Sequence, residues 1–137
     1  MIRPFAASAL LTLALPVAAL AQGLDLTVEG VRNDRGAILV LVFDRAEAFD
    51  QLDYLSAVDY AEIPARAGTV SHRFAGLTAG PYAVFLFHDE NGDQDLNYTA
   101  TAFLEGFGAS GAPNPADEPS FAEAAMPPGP VTVKLHY

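Results

Sequence analysis

The sequence contains no cysteine, which excludes thiol catalysis, disulfide staples and cysteine-ligated zinc or iron–sulfur sites. Its core must therefore hold by packing alone. Positive charge is scarce: seven basic residues face seventeen acidic ones, a net charge of −10. Such a chain repels a phosphate backbone and an anionic membrane surface, and no basic stripe offsets the repulsion, so nucleic acid is not expected as a partner. H-E-x-x-H, P-loop and G-x-G-x-x-G patterns do not occur, and there is no internal repeat. What is present is 51% hydrophobic and 10% aromatic content in 137 residues, enough for one folded domain and too much for wholesale disorder.

The first stretch, MIRPFAASALLTLALPVAALAQG, has Arg3, an apolar run from Phe5 to Leu15, a break at Pro16, and Ala19-Leu20-Ala21 ahead of Gln22. This is the three-part build of a secretory signal ending in a small-x-small cleavage site. A membrane anchor is the competing reading. The uninterrupted run is shorter than the roughly 20 residues a spanning helix needs, and no basic stop-transfer flank follows. The expectation is residues 1–21 as a signal peptide and 22–137 as a single β-sandwich domain, periplasmic or secreted, with no membrane insertion after cleavage. The absence of cysteine before Gln22 excludes a lipoprotein anchor.

Beyond the leader, Leu24 to Glu29 alternates apolar and polar with period two, predicting a strand with one buried face. Turn chemistry at Asn33-Asp34-Arg35-Gly36 leads into Ile38 to Phe43, apolar on both faces as a central strand would be, and the two strands are expected to form a hairpin. Asp44 to Asp53 suits a short helical turn. Ala57 to Ile63 reads as an edge strand, Thr69 to Phe74 as a strand with Val70, His72 and Phe74 on one face, and Tyr82 to Phe87 as a second central strand. Six of ten prolines fall between Ala109 and Pro130, which leaves almost no room for regular structure and predicts a long Pro-rich loop. Val131 to Tyr137 alternates again as a last strand. Short strands separated by turn signals, without a long helical period, predict an all-β fold, an antiparallel β-sandwich of six or seven strands.

The densest polar cluster, His88 to Asn97, directly follows a central strand. Asp89, Asn91, Asp93, Asp95 and Asn97 occupy every second position, so a loop coiled around a hard cation can aim their oxygens inward, and an oxygen-only ligand set suits calcium rather than zinc. It is not an EF-hand, whose sixth position takes glycine and whose twelfth takes glutamate; here they are Gln94 and Ala100. Glu105 supplies a missing carboxylate only if the loop folds back. The bland alternative is a solvated turn in which Asp and Asn cap their own backbone. His88 is expected to be a strand-end residue hydrogen-bonded to a neighbouring loop, His72 a satisfied half-buried residue, and His136 a residue pointing outward. Gly108-Ala109-Ser110-Gly111-Ala112 lacks the last glycine of a nucleophile elbow. Asp93 and Asp95 make a candidate acid–base pair, but an acid kept protonated needs apolar surroundings and this cluster looks wet. No enzyme is expected.

Gly30-Val31-Arg32-Asn33-Asp34-Arg35-Gly36, Leu77-x-x-Gly80-x-Tyr82, Phe87-His88-Asp89-Glu90-Asn91-Gly92-Asp93, Glu105-Gly106-Phe107-Gly108 and Pro119-Ser120-Phe121-x-x-Ala124-Ala125 together resemble the small exported bacterial proteins grouped as domain-of-unknown-function family 2141. The resemblance implies export, an immunoglobulin-like or transthyretin-like sandwich and a shared acidic loop; it supplies no substrate. Family members read H-D-E-N-G-x-G-x-L-D in this loop, so Gln94 stands at a glycine position and Asn97 at an aspartate position. The functional expectation is an exported, non-enzymatic envelope module whose acidic loop binds calcium or a protein or small-molecule partner. A purely structural envelope protein, or a small hydrolase using His88 with a carboxylate, are the alternatives.

Overall fold

The computed structural model describes residues 23–137; the expected signal peptide and the cleavage point ahead of Gln22 lie outside the described residues. Seven strands form two sheets: β1 (Leu24–Val31), β2 (Ala37–Phe43), β3 (Asp59–Pro64), β4 (Gly68–Phe74), β5 (Ala83–Asp89), β6 (Phe107–Ala109) and β7 (Gly129–Lys134). One sheet has the order β4-β1-β7, the other β3-β2-β5-β6. Two short α-helices, α1 (Ala46–Asp50) and α2 (Phe121–Ala124), and a 3-10 turn at Tyr54–Ser56 lie outside the sheets.

Burial follows the side-chain period. In β1, Leu24, Leu26 and Val28 turn inward while Asp25, Thr27 and Glu29 do not, so this sheet has one covered face. β2 and β5 are buried nearly throughout. Ile38, Val40, Val42, Val84 and Leu86 meet β1, β4 and β7 in the core between the sheets. Leu39, Leu41, Phe43, Phe85 and Phe87 point the other way into a second apolar layer. Phe49 of α1 and Phe121 of α2 cover that layer edge to face, with ring centroids 6.2 Å apart.

The sandwich, the helical turn near 46–50 and the edge position of β3 agree with the sequence reading; three details do not. β1 and β2 form no hairpin: β1 pairs with β4 and β7, while β2 pairs with β3 and β5. A hairpin would place the polar face of β1 beside Leu39 and Leu41 under the helical cover, where three polar side chains would have no partners. The chain instead crosses between sheets, over a register break between Val28 and Val31. Nor is the sandwich wholly antiparallel, since β7 runs parallel to β1, with Leu26 opposite Val131 and Val28 opposite Val133. β7 arrives through a long connection, which leaves direction free where a tight turn would fix it. Finally, the Pro-rich segment holds α2, whose capping box joins Ser120 and Glu123: Glu123 Oε2 accepts from the Ser120 N–H (2.8 Å) and hydroxyl (2.9 Å).

Candidate functional site

The acidic segment leaves the end of β5 at Asp89 and returns through Glu105 into β6, where Phe87 pairs with Phe107 and Leu86 with Gly108. This return is the fold-back that Glu105 needs to reach the cluster. Asp89 and Glu105 are buried, at 1% and 4% exposure, whereas Asp93 is exposed. One carboxylate oxygen from each of the three lies within 4.8 Å of the others.

Backbone donors fix these carboxylates. Gly92 N–H and Gln94 N–H, each at 2.9 Å, donate to the two oxygens of Asp89. Glu90 N–H (3.0 Å) and Asn97 N–H (3.1 Å) donate to those of Glu105. Asp93 accepts from Asp95 N–H at 3.0 Å and from the side-chain amides of Asn97 (2.8 Å) and Asn91 (3.1 Å). The Asp95 N–H first, then the Asn97 amide, hold the Asp93 carboxyl below its ordinary pKa, so it is ionised at neutral pH. Among the described residues no cationic side chain lies within 4.0 Å of Asp89 or Glu105.

Of the five residues singled out from the spacing, Asp89 and Asp93 converge, and Asn91 and Asn97 lie against Asp93 through their amide nitrogens. Asp95 is exposed and outside the group of three; its charge lies instead near Tyr54, where, after burial, it helps raise the phenol pKa. Gln94 adopts φ +64°, a left-handed conformation that glycine takes at no steric cost.

A brace of side chains fixes the base of the loop. His88 is fully buried. Arg35's carbonyl oxygen only accepts, so His88 Nε2–H donates to it (2.6 Å) and the Tyr137 hydroxyl donates to Nδ1 (2.8 Å). This matches the expected strand-end role and leaves neither ring nitrogen open for base chemistry. Glu90 accepts from Arg32 Nε at 2.5 Å, Arg35 Nη2 at 2.6 Å and Asn33 Nδ2 at 3.2 Å. Burial raises the Glu90 pKa, but the hydrogen bonds from Arg32 and Asn33 and the Arg32 charge outweigh it and leave it lowered. The Arg32 guanidinium also lies 4.4 Å from the Tyr137 ring centroid. Apart from His88, named for the hydrolase alternative, the sequence reading took no site residue from this brace, although Arg32, Asn33 and Arg35 sit in the first motif that carried the family resemblance.

The other histidines divide. His72 is half-buried, its ring edge to face with Phe74 at 4.6 Å between centroids. His136 does not point outward. Beyond β7 the chain bends to exchange both backbone hydrogen bonds with Phe107, and His136 comes to line a cleft beside β6, half-buried.

Neither a curated protein nor a solved structure matches the chain. A family model described as an uncharacterized protein conserved in bacteria, DUF2141, matches residues 26–134, and the chain belongs to that family.

Proposed function

We propose that the protein is an exported, non-enzymatic module of the cell envelope, periplasmic or secreted, whose acidic loop binds calcium. The observation that carries the reading is the grouping of Asp89, Asp93 and Glu105, two of them buried and without a cationic partner within 4.0 Å among the described residues. Buried carboxylates this close repel one another, and a bound cation converts that repulsion into attraction. An oxygen-only set suits a hard cation, and calcium accepts six to eight ligands in flexible geometry, whereas magnesium demands octahedral order and dehydrates reluctantly. The backbone N–H groups occupy one lone pair of each buried oxygen and leave another for a metal. Turning the Asn91 and Asn97 amides would add two neutral oxygens.

Strain at Gln94 and the lack of a bidentate twelfth-position glutamate argue for an affinity in the weak range of extracellular modules, about 10⁻⁴–10⁻³ M. At ten times the dissociation constant, binding to the folded state alone adds about 1.4 kcal/mol, which raises the melting temperature by several degrees. The test is calorimetry in millimolar calcium, magnesium and chelator. Calcium should stabilise more than magnesium, and the paired Asp89→Ala, Asp93→Ala variant should lose the response. Equal melting temperatures in calcium and chelator would remove the site. The export reading is tested separately, by intact mass of the exported protein, which should begin at Gln22; retention of residues 1–21 in the membrane fraction contradicts it.

A further inference from the structure

A second feature is a cleft of about 500 Å³ between α1, β6 and the Pro-rich segment, with Leu96 of the acidic loop in its lining. Its volume is that of a small-molecule site. Aromatic rings form the walls: Phe49 from α1, Phe85 from β5, Phe107 from β6, and Phe103, which is half exposed at the lip and packs 4.4 Å from Phe107. Ala109, the cross-strand neighbour of Phe85, and Ala112 also line the cleft, side chains too short to fill it.

Every charged group at the rim is negative. Asp50, Asp117, Glu118 and Glu123 line the cleft, and no lysine or arginine does. Three of these carboxylates are held by their surroundings: Asp50 accepts from Phe121 N–H at 2.7 Å, Asp117 from the Asn114 N–H at 2.9 Å, and Glu123 belongs to the capping box of α2. Fixed acids around aromatic faces create a negative potential that a ligand cation can use twice, against the carboxylates and against the ring quadrupoles. His136 lines the same cleft, half-buried, and its Nε2 has no hydrogen-bond partner among the described residues.

We infer that this cleft binds a small organic cation with an aromatic or similarly bulky apolar body and a protonated amine. The inference is independent of the calcium reading, since the cleft uses none of Asp89, Asp93 or Glu105.

The test is titration calorimetry in chelator with three probes of one shape: 2-phenylethylammonium, neutral 2-phenylethanol and anionic 3-phenylpropionate. The cation should bind about tenfold more tightly than the alcohol, the anion more weakly than either, and added salt should reduce the preference. Phe103→Ala, at an exposed lip position, should weaken the cation about tenfold without lowering the melting temperature by more than a few degrees. The paired Asp117→Asn, Glu118→Gln variant retains an oxygen for the Asn114 N–H and should lose most of the charge preference. Equal affinity for the three probes, no binding of the cation at millimolar concentration, or a preference unchanged in the paired variant would each overturn the inference.

Discussion

Gly36 is where the acidic loop can be disturbed without touching an acidic residue. Its φ of +65° is left-handed, and a Cβ there would overlap the carbonyl oxygen of Asp89 and stand 2.9 Å from its carbonyl carbon. Gly36→Ala therefore costs about 1–2 kcal/mol in backbone strain before any displacement. Relief of the overlap must move the 35–37 turn away from the end of β5. That movement loosens the bond from His88 Nε2–H to the Arg35 carbonyl and the bond from Ala65 N–H to the Gly36 carbonyl. The second is worth about 1 kcal/mol; the first leaves a fully buried imidazole N–H without a partner, at about 1–3 kcal/mol. The expected loss is about 3–6 kcal/mol, much of the 5–15 kcal/mol of an ordinary domain. Gly68 provides the control, because its φ of +101° is equally unusual but nothing lies within 4 Å of an added Cβ. Gly68→Ala should cost the backbone strain alone, about 1–2 kcal/mol. Urea unfolding followed by far-ultraviolet circular dichroism measures both, and coincident midpoints would show that Gly36 and Asp89 are not pressed together.

Three further substitutions probe separate parts of the structure. Phe85→Ala removes a buried ring that stacks on Tyr54 at 6.4 Å and should cost about 3–5 kcal/mol, whereas Thr132→Ala on the exposed face of β7 should cost under about 0.5 kcal/mol; equal urea midpoints would mean that the faces of these strands are misassigned. Because the folded pKa of Glu90 is lowered, its contribution is complete above its unfolded value near 4.5 and disappears as pH falls through the lower folded value. Glu90→Gln should cost about 1 kcal/mol at pH 7, a modest figure because the Arg32 and Arg35 side chains are 42% and 71% exposed, and the gap from wild type should begin to narrow below pH 4.5 and go on narrowing as pH falls; a gap that does not change with pH refutes the ion-pair account. Gln94→Gly should stabilise the protein by about 0.5–1 kcal/mol by relieving the left-handed conformation, and a destabilised variant would show that the Gln94 side chain contributes contacts that outweigh its strain.

The strands were legible in the sequence wherever burial has a period. Leu24, Leu26 and Val28 alternate because their sheet has one dry face, and Ile38 to Phe43 does not alternate because α1 and α2 cover the far side of its sheet. Pairing was not legible in the same way. A period of two states which face a residue takes, not which strand lies beside it, so the separation of β1 from β2 and the parallel run of β7 come from packing between distant segments.

The same distinction governs the two candidate sites. Spacing alone marked Asp89 and Asp93, since local turns in the loop bring alternate positions together, and Asx bonds such as Asp93 N–H to Asn91 Oδ1 and Asp95 N–H to Asp93 Oδ1 are made by neighbours in sequence. Glu105 enters only because β6 pairs back onto β5 and lifts a carboxylate sixteen positions away into the group. The Asx bonds and a cation do not exclude one another. Each N–H donor uses one lone pair, so the turn can be fully capped and still present oxygens to an ion. What competes with the ion is the pair of Asn amides, whose nitrogens both rest on Asp93 Oδ2. An aspartate in place of Asn97 would supply an acceptor instead of that donor, adding repulsion to the empty loop and attraction to the filled one.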